Sequence, residues 1–429
     1  AFFYGSASLT KKWQNISIKD FGKNLFIYAL IIRLAYVVFI YFFNIYLYGI
    51  PQESNLGDTG FYISSGLDIA ERIRHGQWDF INVYASWDVS LDDMGYNTYL
   101  GFVYLLTGSV SDIFIPLILK SLWGSLTCVG LYRIAQRHFG ERTARMAGIF
   151  CMLQFNMIWW CGSMMKETEM IFLTVLAIDR IDKILCSKRF TAGDIIIAIL
   201  ATASLLTLRT VLTILIITAF TASLFFGSGK ITSTPRKIFA GIAIAILLSS
   251  SIGANLIGQT REISKNAGGS YQKTNMEWRT QREGGNSLAK YAGAAVFAPL
   301  IFTLPFPSMS YTSQGQEMQM QVSGGNFVKN VLSFFVIFAC FSLLFSGKWR
   351  EHAFPLMFLC GYLLVLVLSV FAQSGRYHMP AMPFEMMFAA YGISLLNKKS
   401  YKYFKWALVL EFVVCIGWAY FKLAGRGLV

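Results

Sequence analysis

Apolar runs recur along almost the whole chain, each close to the length needed to cross a bilayer, and short stretches rich in lysine and arginine separate them. Lys11, Lys12, Lys19 and Lys23 precede the first run, Leu25 to Tyr48, which predicts a cytoplasmic N-terminus over residues 1–24 and a first outer loop over 49–97. An apolar region from Tyr99 to Tyr132 is broken at TGSVSD, and the basic cluster RIAQRHFGERTAR then predicts a cytoplasmic return. Further spans are expected near Met146 to Trp160, Ile171 to Leu185, Ile195 to Leu206, Val211 to Phe226 and Phe239 to Leu256. A second outer region over 258–327 holds the polar segment NAGGSYQKTNMEWRTQREGGNS, read as a mobile lid or a linker. Within it, Tyr291 to Phe306 ends in LPFPS, where the prolines predict a helix that dips into the bilayer without crossing it. Spans near Val328 to Phe345, Phe354 to Phe371, Met382 to Leu396 and Trp406 to Ala419 complete the C-terminal region, 328–429. The expected fold is an all-α polytopic membrane protein with about 11–13 transmembrane helices, in one integral-membrane domain over 1–429.

Composition agrees with that class. Apolar residues make up 55% of the chain and charged residues only 14%, with a mean hydropathy of +0.51, too greasy for a soluble globule. A net charge of +14 would suggest nucleic acid in a soluble domain. Here the basic residues sit between apolar runs, where they set topology and meet anionic headgroups, so nucleic acid is not an expected partner and membrane lipid is. The seven cysteines lie in or beside apolar segments without paired spacing in any polar loop, which reads as small core residues and neither a disulfide frame nor a metal site. The first residues show no signal-peptide pattern, and no internal repeat supports an inverted-repeat transporter.

The same threading leaves Asp58, Lys166, Glu167, Arg209 and Arg376 on the face without basic clusters. In NLGDTGFYISSGLDIAERIRHGQWD, Tyr62, Gly66, Ile69 and Ile73 fall on one helical face and Asp68, Glu71, Arg72 and His75 on another, the pattern of an interfacial helix. Asp58, just before it, reads either as a cap or as a general base at the membrane surface. Lys166 and Glu167 in an outer hairpin are costly there unless paired or wet, so they read as an ion pair, as snorkelling, or as ligands. Arg209 has the same alternatives. In SGRYHMPAMPF, Arg376 can hold a phosphate through two parallel bonds and His378 can add a donor, with Tyr377 beside them and Pro380 and Pro383 breaking the helix. Asp88, Asp92 and Asp93 are supporting acids with room for a divalent cation; no cofactor or metal is the favoured reading.

Taken in order, an aspartate after the first span, an interfacial helix, GYNTYLGFVYLLTG, LYRIAQRHFGERTARMAG, SMMKETEMIFL and a late GRYHMPAMPF resemble the membrane glycosyltransferases of the C superfamily. The likeness is to the branch of protein mannosyltransferases and lipid A aminoarabinose transferases. It implies inverting transfer of a sugar from a polyprenyl-phosphate donor to a glycan, lipid or protein acceptor on the outer face, in a bacterial inner membrane. Asp58 would deprotonate the acceptor hydroxyl, and Lys166, Arg209, Arg376 and His378 would bind the donor phosphate, with Glu167, Tyr377, Asp88, Asp92 and Asp93 in support. The chain departs from the pattern in having Gly95-Tyr96-Asn97 where that branch often has a proline pair, and no Asp-x-Asp in the first loop, which speaks against a metal-dependent oligosaccharyltransferase. A polysaccharide repeat-unit polymerase and, further off, a lipid or sugar transporter are the competing expectations.

Overall fold

A computed structural model describes residues 1–53, 57–87, 89–108, 113–186, 190–227, 298–307, 321–368, 372 and 374–424. The protein is an all-α polytopic membrane protein, with no strand among the described residues. Five helical stretches there are long and apolar enough to span a bilayer: Ile18–Tyr48, Phe114–Leu153, Ser323–Phe345, Lys348–Leu368 and Lys398–Tyr420. Ala192–Leu206 and Thr210–Phe226 are shorter apolar helices. The span expected over Phe239 to Leu256 and the polar segment that follows it lie outside the described residues, so the expected 11–13 crossings are not counted. The chain divides into two compact units, Ala1–Ile216 and Ile217–Val429.

In the first unit, α1 (Phe2–Lys12) precedes α2 (Ile18–Tyr48), which starts where the Ser17 hydroxyl accepts from the Asp20 amide at 3.1 Å. The buried positions of α2, Phe21, Leu25, Ala29, Arg33, Val37, Ile40 and Asn44, follow a spacing of three to four along one stripe. Its other faces carry exposed Ile31, Phe39 and Phe42, apolar surface that hydrocarbon would cover. The next helices are α3 (Gly57–Arg74), α4 (Phe80–Ser86) and α5 (Leu91–Leu106). Tyr62, Ile69 and Ile73 are buried and Asp68 to His75 carry the outer charges, as the pattern predicted. That apolar face is covered by α5.

The cluster RIAQRHFGERTAR, expected as a return of the chain, is where α6 (Phe114–Leu153) turns back: Gly140, whose φ of 77° suits glycine, separates two helical halves that pack side by side, with Arg33 reaching Cys128 in the first and the Cys151 and Met152 carbonyls in the second. Its charges have local partners that stabilise the helix. Arg145 pairs with Glu141 and donates to the carbonyls of Gln14 and Ile16, pinning the link between α1 and α2. After α7 (Phe155–Trp159) come α8 (Glu167–Cys186), α9 (Ala192–Leu206) and α10 (Thr210–Phe226). A capping box starts α9: Thr191 and Asp194 exchange side-chain and backbone hydrogen bonds, while Arg180 and Lys183 of α8 reach Asp194 at 2.9 and 2.8 Å.

The junction of α5 with the α9–α10 turn requires glycine at position 95. Its amide donates to the Thr207 carbonyl at 2.9 Å, and a Cβ there would lie 2.1 Å from Thr207 Oγ1. At an open helical site Gly→Ala gains about 1 kcal/mol. Here the contact reverses the sign, and Gly95→Ala is expected to lose about 1–3 kcal/mol, read as a lower thermal midpoint. A raised midpoint would mean that this contact is not made.

In the second unit, residues 298–307 form a 3₁₀ turn at Ala298–Leu300 and then non-helical chain. The dipping helix expected over Tyr291 to Phe306 is therefore corrected for its described end: Pro305 and Pro307 withhold the amides a helix needs. The remaining helices are α11 (Ser323–Phe345), α12 (Ala353–Leu368), α13 (Gly375–His378), α14 (Met382–Ser394) and α15 (Lys398–Ala424). The KKSYKYFK run that precedes the span expected over Trp406 to Ala419 is the opening of α15, which exposes Trp406, Leu410, Phe412 and Val413.

Candidate functional site

The SMMKE segment before α8 is held residue by residue. Tyr96 of α5 donates to the Met164 carbonyl at 3.2 Å, and Lys120 of α6 donates to the Met165 carbonyl and pairs with Glu169 at 2.7 Å. Buried Lys166 then reaches Asp93 Oδ1 at 2.6 Å and the Asp92 carbonyl at 2.5 Å. Two of the three N–H groups of its ammonium are thereby taken, and its direction is fixed.

Both aspartates hold structure as well as charge. Asp92 Oδ1 accepts from the Thr210 amide at 2.8 Å and from its hydroxyl at 2.5 Å, anchoring the first residue of α10. Asp93 accepts from Tyr62 of α3 at 2.7 Å and from Ser90 at 3.1 Å. Asp58 lies in the first turn of α3, exposed, and not in front of the helix as expected from the sequence. It is one helical turn before Tyr62 on α3, and Tyr62, Asp93 and Lys166 follow one another along a line of hydrogen bonds. Arg209 occupies the turn between α9 and α10, close enough to repel the Lys166 charge, and Glu167 opens α8 beside it. The first unit thus gathers Asp58, Asp92, Asp93, Lys166, Glu167 and Arg209 from segments far apart in sequence. Asp88 lies outside the described residues.

A second tether runs from the start of α3 to the hairpin. Glu53 Oε1 accepts from Thr59, next to Asp58, at 2.6 Å and from Ser163 of the hairpin at 2.8 Å. Sequence patterning passed over Glu53, Ser163 and Thr210, because single polar residues in loops carry no periodic signal. Tyr62 was read only as an apolar-face residue; its spacing of four from Asp58 was the available clue.

Burial opposes ionisation of Asp93, but the Lys166 charge and the donors Tyr62 and Ser90 outweigh it and hold the carboxyl below the usual range. Burial also lowers Lys166, against the pull of Asp93 and with the push of Arg209. A depressed carboxyl contributes stability that is complete above its unfolded pKa, about 3.9, and lost as pH falls through the folded value. Wild-type thermal midpoints are therefore expected to fall steeply below about pH 4. Asp93→Asn should flatten that acid slope while lowering the midpoint at neutral pH, and an unchanged slope would mean that the pair does not form. A hard cation at Asp92 and Asp93 would have to displace these donors.

The second unit holds Arg376, Tyr377 and His378 in α13. Arg376 is half-buried, and the Tyr377 carbonyl accepts from Tyr362 at 2.8 Å. His378 is fully buried, with Nε2 2.7 Å from the Ala372 carbonyl and Nδ1 3.3 Å from Lys329 Nζ. Nε2 must donate and Nδ1 accept, so the expectation that His378 offers a phosphate an N–H is corrected: both nitrogens are engaged internally. Lys329 itself was missed. It lies 3.2 Å from Glu385, and both are almost wholly buried. An isolated lysine in NFVKNVLSFF and a glutamate in MPFEMMF were the sequence signals, since a lone charge in an apolar run demands a partner. Comparison with protein-family models, with curated proteins and with solved structures finds no match to this chain, and the chemistry of these clusters is read from their own geometry.

Proposed function

We propose that this protein is an inverting membrane glycosyltransferase, moving a sugar from a polyprenyl-phosphate donor to a glycan, lipid or protein acceptor on the extracytoplasmic face of a bacterial inner membrane. The observation that supports the reading is the hydrogen-bonded line Tyr62–Asp93–Lys166, with Asp58 one helical turn before Tyr62 and its neighbour Thr59 tied through Glu53 to Ser163. It sets an exposed carboxylate and a rigidly held ammonium on one side of the first unit. The carboxylate takes the proton from the attacking acceptor hydroxyl, while positive N–H groups stabilise the phosphate charge that grows as the glycosidic bond breaks. Lys166 acts here as a positioned donor whose net charge Asp93 has balanced, and Arg209 adds a second positive charge near it. Within the second unit, Arg376 carries a fork suited to phosphate oxygens, and His378 is engaged by Lys329 and the Ala372 carbonyl.

A repeat-unit polymerase would use the same chemistry with a lipid-linked acceptor. One observation favours a reading of another class: Lys120–Glu169 and Lys329–Glu385 are charge pairs inside apolar helices, a feature of transport pathways as well as of buried scaffolds. Proteoliposomes carrying a labelled polyprenyl-phosphate sugar decide between them. A transferase makes a new glycosidic bond on an added acceptor, a polymerase lengthens a lipid-linked glycan, and a transporter moves the label with its bonds intact.

A further inference from the structure

Away from the cluster just described, one group of side chains offers the nitrogen, oxygen and sulfur donors typical of zinc-like ions. His138 lies just before the Gly140 break in α6, and Asp182 and Cys186 are spaced by four on one face of α8. His138 Nε2 is 2.8 Å and Cys186 Sγ 3.4 Å from Asp182 Oδ1. The three donor atoms lie within 4.8 Å of one another. Tetrahedral bonds of about 2.0–2.3 Å place neighbouring donors roughly 3.3–3.8 Å apart, so an ion at their centre requires shifts of no more than about 1 Å.

The surroundings fit an ion as well as the donors do. Arg137 Nε holds the other carboxylate oxygen of Asp182 at 2.6 Å, leaving Oδ1 for a ligand. Outer hydrogen bonds of this kind fix ligating carboxylates in metal sites. The guanidinium would by itself repel a dication, but Asp179 balances it at 2.7 Å. A divalent ion takes the Nε2 lone pair of His138 and the thiolate of Cys186, releasing the protons those atoms carry, and Asp182 Oδ1 exchanges two hydrogen bonds for one metal bond. The thiolate and the carboxylate together offset the two charges of the ion.

We propose that His138, Asp182 and Cys186 form a binding site for a divalent transition metal of the zinc type, with water in the fourth position, clamping α6 to α8. Composition could not suggest it, since His138 and Asp182 are 44 positions apart.

Cobalt(II) is the probe, added to the chelator-treated full-length chain in detergent. One equivalent should produce a thiolate-to-cobalt charge-transfer band and the visible bands of a tetrahedral ion, both abolished by excess zinc. Cys186→Ser, which leaves the other cysteines in place, should remove the charge-transfer band, and His138→Gln should weaken cobalt binding at least about tenfold. Zinc should raise the thermal midpoint of the wild type and not that of Cys186→Ser. The absence of a band, a band that persists in Cys186→Ser, or unchanged cobalt affinity in His138→Gln overturns the proposal. If Cys186→Ser fails to fold, the His138→Gln titration decides alone.

Discussion

Asp58→Asn is expected to slow turnover by about a hundredfold or more while leaving the lipid donor bound. The substitution removes proton acceptance and little else. Asparagine is nearly the same size and is also favoured at a helix start. A purely structural role for Asp58, which lies in the first turn of α3, predicts a much smaller effect. Loss of a charge near the positive end of a helix costs about 0.3–1 kcal/mol. A hundredfold rate loss corresponds to about 2.7 kcal/mol of transition-state stabilisation. The two roles are therefore separable by magnitude. Turnover is measured per folded molecule, with donor affinity and thermal midpoint measured on the same sample. Near wild-type turnover in a folded variant removes Asp58 from the mechanism.

The largest effect on stability is expected at Lys329. Its ammonium faces the carbonyls of Leu304 and Phe302 and Nδ1 of His378, and Glu385 lies 3.2 Å away. Among the described residues, Lys329 is the cation that faces the Glu385 carboxylate, and burial of both makes this contact the carboxylate's main compensation. Lys329→Met leaves that carboxylate buried without its cation. Breaking a buried pair from one side costs about 3–5 kcal/mol, whereas replacing both members by apolar groups is often neutral. Lys329→Met should therefore lower the thermal midpoint sharply, and Lys329→Met with Glu385→Leu should recover most of the loss. Equal destabilisation by the single and double variants would show that the pair is not the cause.

The elements that sequence patterning placed well are those whose signal is local. Leu25 to Tyr48 is the core of α2, Val328 to Phe345 falls within α11, and Arg209 sits in its expected turn, because apolar length and a helical stripe are read within one segment. The basic run around Arg137 reads as a return of the chain, and α6 turns back within it at Gly140. What the pattern does not show is that the run is helical on both sides of that turn, where Arg137 and Arg145 pair with Asp179, Asp182 and Glu141. Site residues such as Asp58 and Lys166 could be nominated singly. Their linkage could not, because Lys166 and Asp93 stand 73 positions apart and hydropathy carries no record of which charges meet. The Lys329–Glu385 contact was hidden in the same way.

The most direct measurement is made on the purified chain with a polyprenyl-phosphate-linked sugar and a mixed pool of acceptors, following lipid phosphate and sugar together. The account predicts release of one polyprenyl phosphate for each sugar transferred, with inversion at the anomeric carbon and loss of both signals in Asp58→Asn. Intact sugar-lipid after prolonged incubation with folded protein and every acceptor class would contradict it.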